Sequence, residues 1–415
     1  MGLNETGWQN ARRGRATIMA LLAAATTLAH AAPDESFLGA DAGYPRGTPQ
    51  QVTEERYKVG SFSALAEILP SRPSLRGGPV WVLEEGKPLP PVSYNFRGTT
   101  LPLDAYFDRR RVTSLLVLHK GQIRLERYQY GRNADHRFAS FSMAKSVTAL
   151  LVGIALERGL IKSVDDKAEV YAPELAGSAY GDSTIAHLLQ MASGVRWNED
   201  YSGRDDVSDL WGALFRVHAG GNPTQVLTRR RPMDAEPGTR FKYGTGETQV
   251  LCHVLKGATK RNAADLTTEW LWQPLGAQAD AAWLVGWQDI EYCGGGFNAT
   301  TRDYARLGRL LALGGRRDGQ QIVPEAFLQR ATDHTRQPPG FRLNEPGPRF
   351  GYGWQYWLVQ DGFLMQGVYG QMVAVFPAQD LVVVHTAVWP RSSDPDARAE
   401  RDTMVRALVT TLAQE

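Results

Sequence analysis

The chain has two cysteines, Cys252 and Cys293, in 415 residues. They stand 41 positions apart, a spacing that permits a disulfide without requiring one. No C-x-x-C, H-E-x-x-H or D-x-D-x-D-G stretch occurs, so the common signatures of a structural or catalytic metal are missing and no metal or organic cofactor is expected. Charge of one sign is also lacking. The formal net charge is +2, which gives no electrostatic footprint for nucleic acid or another polyanion. G-x-S-x-G is absent as well, which removes the strand-to-helix nucleophile elbow of the α/β hydrolases.

What is present begins with a short address. Arg12, Arg13 and Arg15 precede an apolar run from Ala16 to Leu28, and Ala29-His30-Ala31 follows as an A-x-A site. This pattern predicts a signal peptide over residues 1–31 and a periplasmic or secreted mature protein. The apolar run is too short for a stable membrane span. Cleavage after Ala31 removes three Arg and one Glu, leaving a near-neutral chain.

Composition then divides the chain. Residues 32–95 are rich in Pro, Gly and Ser and read as an irregular wrapping segment ahead of one large domain, 96–415. "TSLLVLHKGQIRLERYQYG" (113–131) reads as a hairpin about a Lys120-Gly121 turn. A helix is expected from about Ser142 to Gly159. From about 160 to 290 the periodicity becomes helical, as in "STIAHLLQMASG" and "ETQVLCHVLKGAT". "TTRDYARLGRLLALGG" is a further helix closed by glycine. "YGWQYWLV", "GFLMQGVYG", "QMVAVFP" and "DLVVVHTAV" read as successive antiparallel strands, and residues 396–415 as a final helix. The expected fold is α+β: a central antiparallel sheet flanked by helices, with a mostly helical subdomain inserted.

Chemistry concentrates in "FSMAKSVTALLVGIALERG" (141–159). Ser142 and Lys145 are three apart and share a helix face, so the amine comes within reach of the hydroxyl. Serine is a poor nucleophile without an adjacent base and an oxyanion site. An amine held dry against Val147 and Leu150, near the positive end of the helix dipole, binds its proton less tightly and becomes a plausible base. The Ser142 N–H, at the helix start, is an unsatisfied donor. Taken alone, Ser142 reads equally well as a helix cap and Lys145 as a surface charge. Tyr243 lies in the Gly-rich stretch "GTRFKYGTGETQVL", where it could share a proton with a lysine. Gly367 and Gly370 sit in a strand-like run, where glycine weakens pairing unless something approaches the backbone closely.

These three segments, in this order, resemble the serine β-lactamase and penicillin-recognising family. The likeness is to its class C-like branch of esterases, D-amino-peptide hydrolases and 6-aminohexanoate-dimer hydrolases, over about residues 110–410. "LLQMASGVRWNEDY" (188–201), "GGGFNATTRDYARLG" (294–308) and "GYGWQYW" (351–357) add to it. The resemblance implies Ser142 as acylated nucleophile, Lys145 as its base and Tyr243 as proton relay. It puts the third motif on Met365-Gln366-Gly367, with the Val368 N–H completing an oxyanion hole begun by Ser142. Gly367, Tyr369, Tyr201 and Asn298 would contact substrate. Two positions depart from the family pattern: Thr245 stands where it has asparagine, and Met365 where it has a basic residue. The substrate expected from those departures is a small neutral ester or amide, with β-lactams handled poorly.

Overall fold

The computed structural model describes residues 35–215, 222–229, 231–345 and 350–415, so the segment read as a signal peptide lies outside the described residues. An eight-stranded sheet forms the centre. Its spatial order is Gly351–Tyr352, Trp357–Val359, Gly362–Gln366, Met372–Phe376, Leu381–Ala387, Val112–His119, Gln122–Tyr128 and Glu84–Glu85. Neighbours are antiparallel except for the last pair, which is parallel. The Lys120-Gly121 turn takes positive φ at both residues (51° and 77°), the conformation of a tight two-residue hairpin.

The central strands Val112–His119, Met372–Phe376 and Leu381–Ala387 are buried along their whole length. Such strands show no polar alternation because both faces are covered. Leu116, Leu118, Val373, Val375, Val382 and Val384 join the larger core with the helices Met143–Glu157 and Thr301–Ala312. Their neighbours Leu115, Val117, Ala374 and Val383 face Phe107 and the closing helix Pro395–Leu412, through Met404 and Leu408. The sheet is therefore sandwiched, and its period of two assigns each side chain to one layer.

A smaller antiparallel sheet stands beside it, in the order Ser71–Ser74, Ala281–Gly286, Phe297–Thr300 and Arg137–Ala139, with Ile290–Glu291 on Ala281–Gly286. The chain leaves this sheet at Ala139 and reaches Ser142 three residues later. The Ser140 N–H is tied to the Phe297 carbonyl at 2.8 Å. Between about 160 and 275 the structure is mainly short helices around the long helix Thr245–Thr259.

Three readings of the sequence change. Residues 35–95 are not irregular: they hold the helix Glu55–Phe62 and give Ser71–Ser74 to one sheet and Glu84–Glu85 to the other. Low apolar content hid these elements, and the two strands are short and lie at sheet edges. "YGWQYWLV" is two strands, not one, since Gln355 takes positive φ and folds Tyr352 back against Trp357. "GFLMQGVYG" is a strand only to Gln366; Val368–Gly370 is a single turn. Cys252 and Cys293 form a disulfide (S–S 2.02 Å), which joins the helix Thr245–Thr259 to the segment ahead of Gly294. Among the described residues no helix is long and apolar enough to cross a membrane.

Candidate active site

The helix Met143–Glu157 is buried from Met143 to Ala155. Its Ala, Val, Leu and Ile side chains leave no polar face, so it forms as scaffold. Lys145 is only 2% exposed, and its stem runs through that apolar packing. Its Nζ meets three oxygens: Ser142 Oγ at 3.1 Å, Thr245 Oγ1 at 2.9 Å and the Gly294 carbonyl at 2.6 Å. Burial lowers the affinity of the amine for its proton and the Glu199 carboxylate partly restores it, leaving a pKa of about 8. An ordinary lysine sits above 10.

Ser142 is reached through strain. Phe141 has φ 43°, a left-handed conformation that costs a bulky residue about 1–3 kcal/mol. Its ring is held edge-on by Phe62 (centroids 4.8 Å apart) and packed on Tyr369 (5.7 Å). The strained corner turns Ser142 out of the sheet and starts the helix there.

Tyr243 stacks on Trp357 (5.7 Å, interplanar angle 21°), and the Lys145 amine lies 5.1 Å from its ring centroid. Burial, then the Glu199 charge, push the phenol well above its usual range, while a hydrogen bond with Ser142 acts the other way. Tyr243 is thus a neutral phenol in contact with the serine hydroxyl. It can donate a proton or pass one on.

The turn after Gln366 comes close to this corner. A Cβ on Gly367 would stand 2.3 Å from the Ser140 carbonyl, so only glycine lets the two backbones meet. Gln371 and His385 fix the turn. The Gln371 amide donates to the carbonyls of Val368, Tyr369 and Ala387, and His385 Nδ1 donates to that of Gly370. Among the described residues the N–H groups of Ser142 and Val368 have no protein acceptor. Such a pair of donors can hold an oxyanion.

Ser142, Tyr201, Tyr243, Trp357, Gly367 and Val368 line one cavity of about 170 Å³. Gln366, Trp389, Ser392, Ser393, Arg398 and Arg401 complete it from the side of the closing helix. A larger open cavity of about 440 Å³, lined by Arg46, Glu67, Asn133 and His136 among others, shares no residue with it.

The structure thus brings Ser142, Lys145, Tyr243, Gly367, Val368 and Tyr201 together. It keeps two expected residues out of the cavity. Asn298 is 1% exposed in its strand, and its amide donates to the Gly296 carbonyl. Tyr369 belongs to the Phe62–Phe141 aromatic cluster and supports the turn. Met365 is wholly buried in the larger core, so the residue of that strand facing the cavity is Gln366. Sequence reasoning missed Arg398, Arg401 and Glu199. The arginines lie on a helix with no motif around them; Glu199 stood in the quoted S-G-V-x-W-N-E-D-Y run, undistinguished from Asp200.

The model of the Beta-lactamase family matches residues 103–408. The chain belongs to the Beta-lactamase family. Within it, the chain is similar to a 6-aminohexanoate-dimer hydrolase of Paenarthrobacter ureafaciens, at 28% identity over 373 residues, 87% of this chain and 91% of that protein. A candidate 6-aminohexanoate-dimer hydrolase from Bacillus anthracis shares the fold with TM-score 0.80 at 23% identity, covering 88% of this chain and 97% of that one. EstCE1, a hydrolase with promiscuous acyltransferase activity, shares it more distantly (TM-score 0.59, 16% identity, 74% of this chain and 96% of that one). The protein is accordingly a hydrolase with the Beta-lactamase family fold.

Proposed function

We propose that this hydrolase cleaves a small ester or amide through an acyl-enzyme on Ser142. The observation that carries the reading is the dry Lys145 amine, 3.1 Å from Ser142 Oγ in a cavity that also holds Tyr243 and two free backbone donors. Neutral Lys145 accepts the Ser142 proton as Oγ bonds to the substrate carbonyl carbon. The Ser142 and Val368 N–H groups hold the oxyanion. Tyr243 hands a proton to the departing alcohol or amine and is recharged from Lys145. Water then attacks the ester, giving its proton to the same pair, and the acid leaves.

The cavity also narrows the substrate. The position occupied by a basic residue in the family strand motif is Met365, which suggested a neutral molecule. Two guanidiniums nonetheless reach the cavity from the closing helix. Arg401 is tied to Gln366 Oε1 (2.7 Å) and Asp402 (2.9 Å); Arg398, partly exposed, donates to Ser393 Oγ (3.4 Å) and acts electrostatically on Tyr243. A carboxylate at the far end of the substrate suits that wall better than a neutral one. Export is part of the proposal, supported by the N-terminal pattern and by a disulfide of the kind that persists in oxidising compartments.

Incubation with a fluorophosphonate should add one label, on Ser142, and none to Ser142→Ala. Labelling elsewhere would remove the mechanism. Of two p-nitrophenyl esters with chains of equal length, the one ending in a carboxylate should give the higher kcat/KM, and Arg398→Ala should erase that preference. Equal rates in the unaltered enzyme would return the neutral substrate.

A further inference from the structure

Thr245 occupies the position of the family asparagine, and its surroundings give it a different task from holding substrate. Its hydroxyl is within hydrogen-bond distance of Glu199 Oε1 (2.8 Å), and its backbone N–H donates to Glu199 Oε2 (2.7 Å). An ionised carboxylate can only accept, so the Thr245 hydroxyl proton is committed to Glu199. Towards Lys145, 2.9 Å away, Thr245 Oγ1 can then only accept. The Gly294 carbonyl at 2.6 Å is likewise only an acceptor. Two N–H bonds of Lys145 are therefore spoken for, in fixed directions. In the neutral amine this leaves the lone pair facing the third neighbour, Ser142 Oγ.

We infer that Glu199 is a positioning residue of this hydrolase: by fixing the Thr245 hydroxyl as an acceptor, it turns the Lys145 lone pair onto Ser142. The inference rests on the acyl-enzyme reading above. Glu199 is itself held firmly. Trp197 Nε1 donates to its Oε2 and the Tyr201 hydroxyl to its Oε1, both at 2.8 Å. With the two bonds from Thr245, four donors serve its two oxygens, so the carboxylate is satisfied and oriented. Tyr201, which lines the cavity, spends its hydroxyl proton on Glu199 and so cannot offer that proton to substrate.

Glu199 also acts through its charge. The ionisable groups around the Glu199–Lys145 pair include Tyr243, Tyr201, Tyr292, Tyr180, Tyr352 and Glu247. Burial first, with the Glu199 charge adding to it, pushes these phenols above their usual range, so they stay neutral at working pH. Glu247, two residues beyond Thr245, is turned to Ser193 Oγ at 2.6 Å, and burial moves it to about 8. Arg398 bears on Tyr243. Glu199 is the charge that raises Lys145 against its burial.

The test compares Glu199→Gln, Thr245→Val and Thr245→Ser, with rates normalised to the sites that a fluorophosphonate titrates. Thr245→Ser keeps the hydroxyl and should retain kcat within about threefold, while Thr245→Val should lose about 10–100-fold, the scale of a misdirected base. Glu199→Gln should lose kcat similarly. The rising limb of its kcat/KM–pH profile should also move to lower pH by about half to one unit, because a neighbour that favours the charged amine is gone. A purely structural role would reduce the titratable fraction and leave the limb in place. An unmoved limb in Glu199→Gln, or full kcat in Thr245→Val, would overturn the inference. Turnover that survives Ser142→Ala would instead overturn the acyl-enzyme reading beneath it.

Discussion

Two lysines of this protein are buried to the same extent, each 2% exposed, and are held in opposite ways. Lys58, in the helix Glu55–Phe62, places its amine 2.5 Å from Glu55 Oε1 and against the carbonyls of Trp389 and Pro390, with Tyr369 below. A carboxylate in direct contact offsets part of what burial takes from that amine. Lys145 meets a serine, a threonine and a carbonyl instead, and its nearest carboxylate stands one hydroxyl further off. Burial lowers the proton affinity of both amines. Only at Lys145 does no direct ion pair replace the lost water. One residue pins the N-terminal segment to the end of the sheet; the other has what a base needs.

The comparison can be broken most severely at Lys145. Lys145→Met should cut kcat by at least ~10², the scale of a lost general base. The same substitution should stabilise the fold at pH 7 by about 1–3 kcal/mol, read from urea midpoints, since it removes an amine whose charged form is buried without a carboxylate in contact. The sign follows from linkage. The folded-state pKa of about 8 lies below the unfolded value near 10.4, so the unfolded chain binds more protons between the two. The penalty is in full force below pH 8 and is relieved as pH rises towards 10.4. The stability gain of Lys145→Met should fade over that window.

Lys58→Met should do the reverse. It should cost about 1–3 kcal/mol, because Glu55 loses a buried partner and keeps only Arg111. Turnover per titrated site should change little. A large fall in kcat per titrated site would mean that the two lysines are not separable. Cys252→Ala with Cys293→Ala tests the frame around Lys145 rather than the amine itself. That pair should lower stability by about 2–4 kcal/mol. It should slow turnover only a few-fold, by loosening the segment whose Gly294 carbonyl holds Lys145.

Much of this was legible before any coordinates. The hairpin at Lys120-Gly121, the buried helix after Ser142 and the closing helix each follow from a local pattern: a turn dipeptide, an unbroken apolar run, an amphipathic tail. Ser142, Lys145 and Tyr243 stand out through the likeness of their segments to the family pattern, and the structure brings the three side chains together. The rest depended on non-local contacts. Edge strands of two to four residues carry too little periodicity to stand out. The resemblance puts Asn298 and Tyr369 against substrate, yet strand pairing and an aromatic cluster bury or divert them. Nothing near Arg398 in the chain shows that the final helix passes the cavity. Glu199 acquires its meaning only when a helix start 46 residues later brings Thr245 onto it.

The central claim is that the base is a buried lysine whose proton affinity burial has lowered. The pH dependence of Ser142 phosphonylation tests it directly, since that single step involves no leaving-group amine and no deacylation. Between pH 5 and 10 the inactivation rate should rise along one limb with an apparent pKa near 8, and the label should map to Ser142. A limb near 6.5, where histidine titrates, or a rate that climbs without a plateau towards pH 10, would contradict the account.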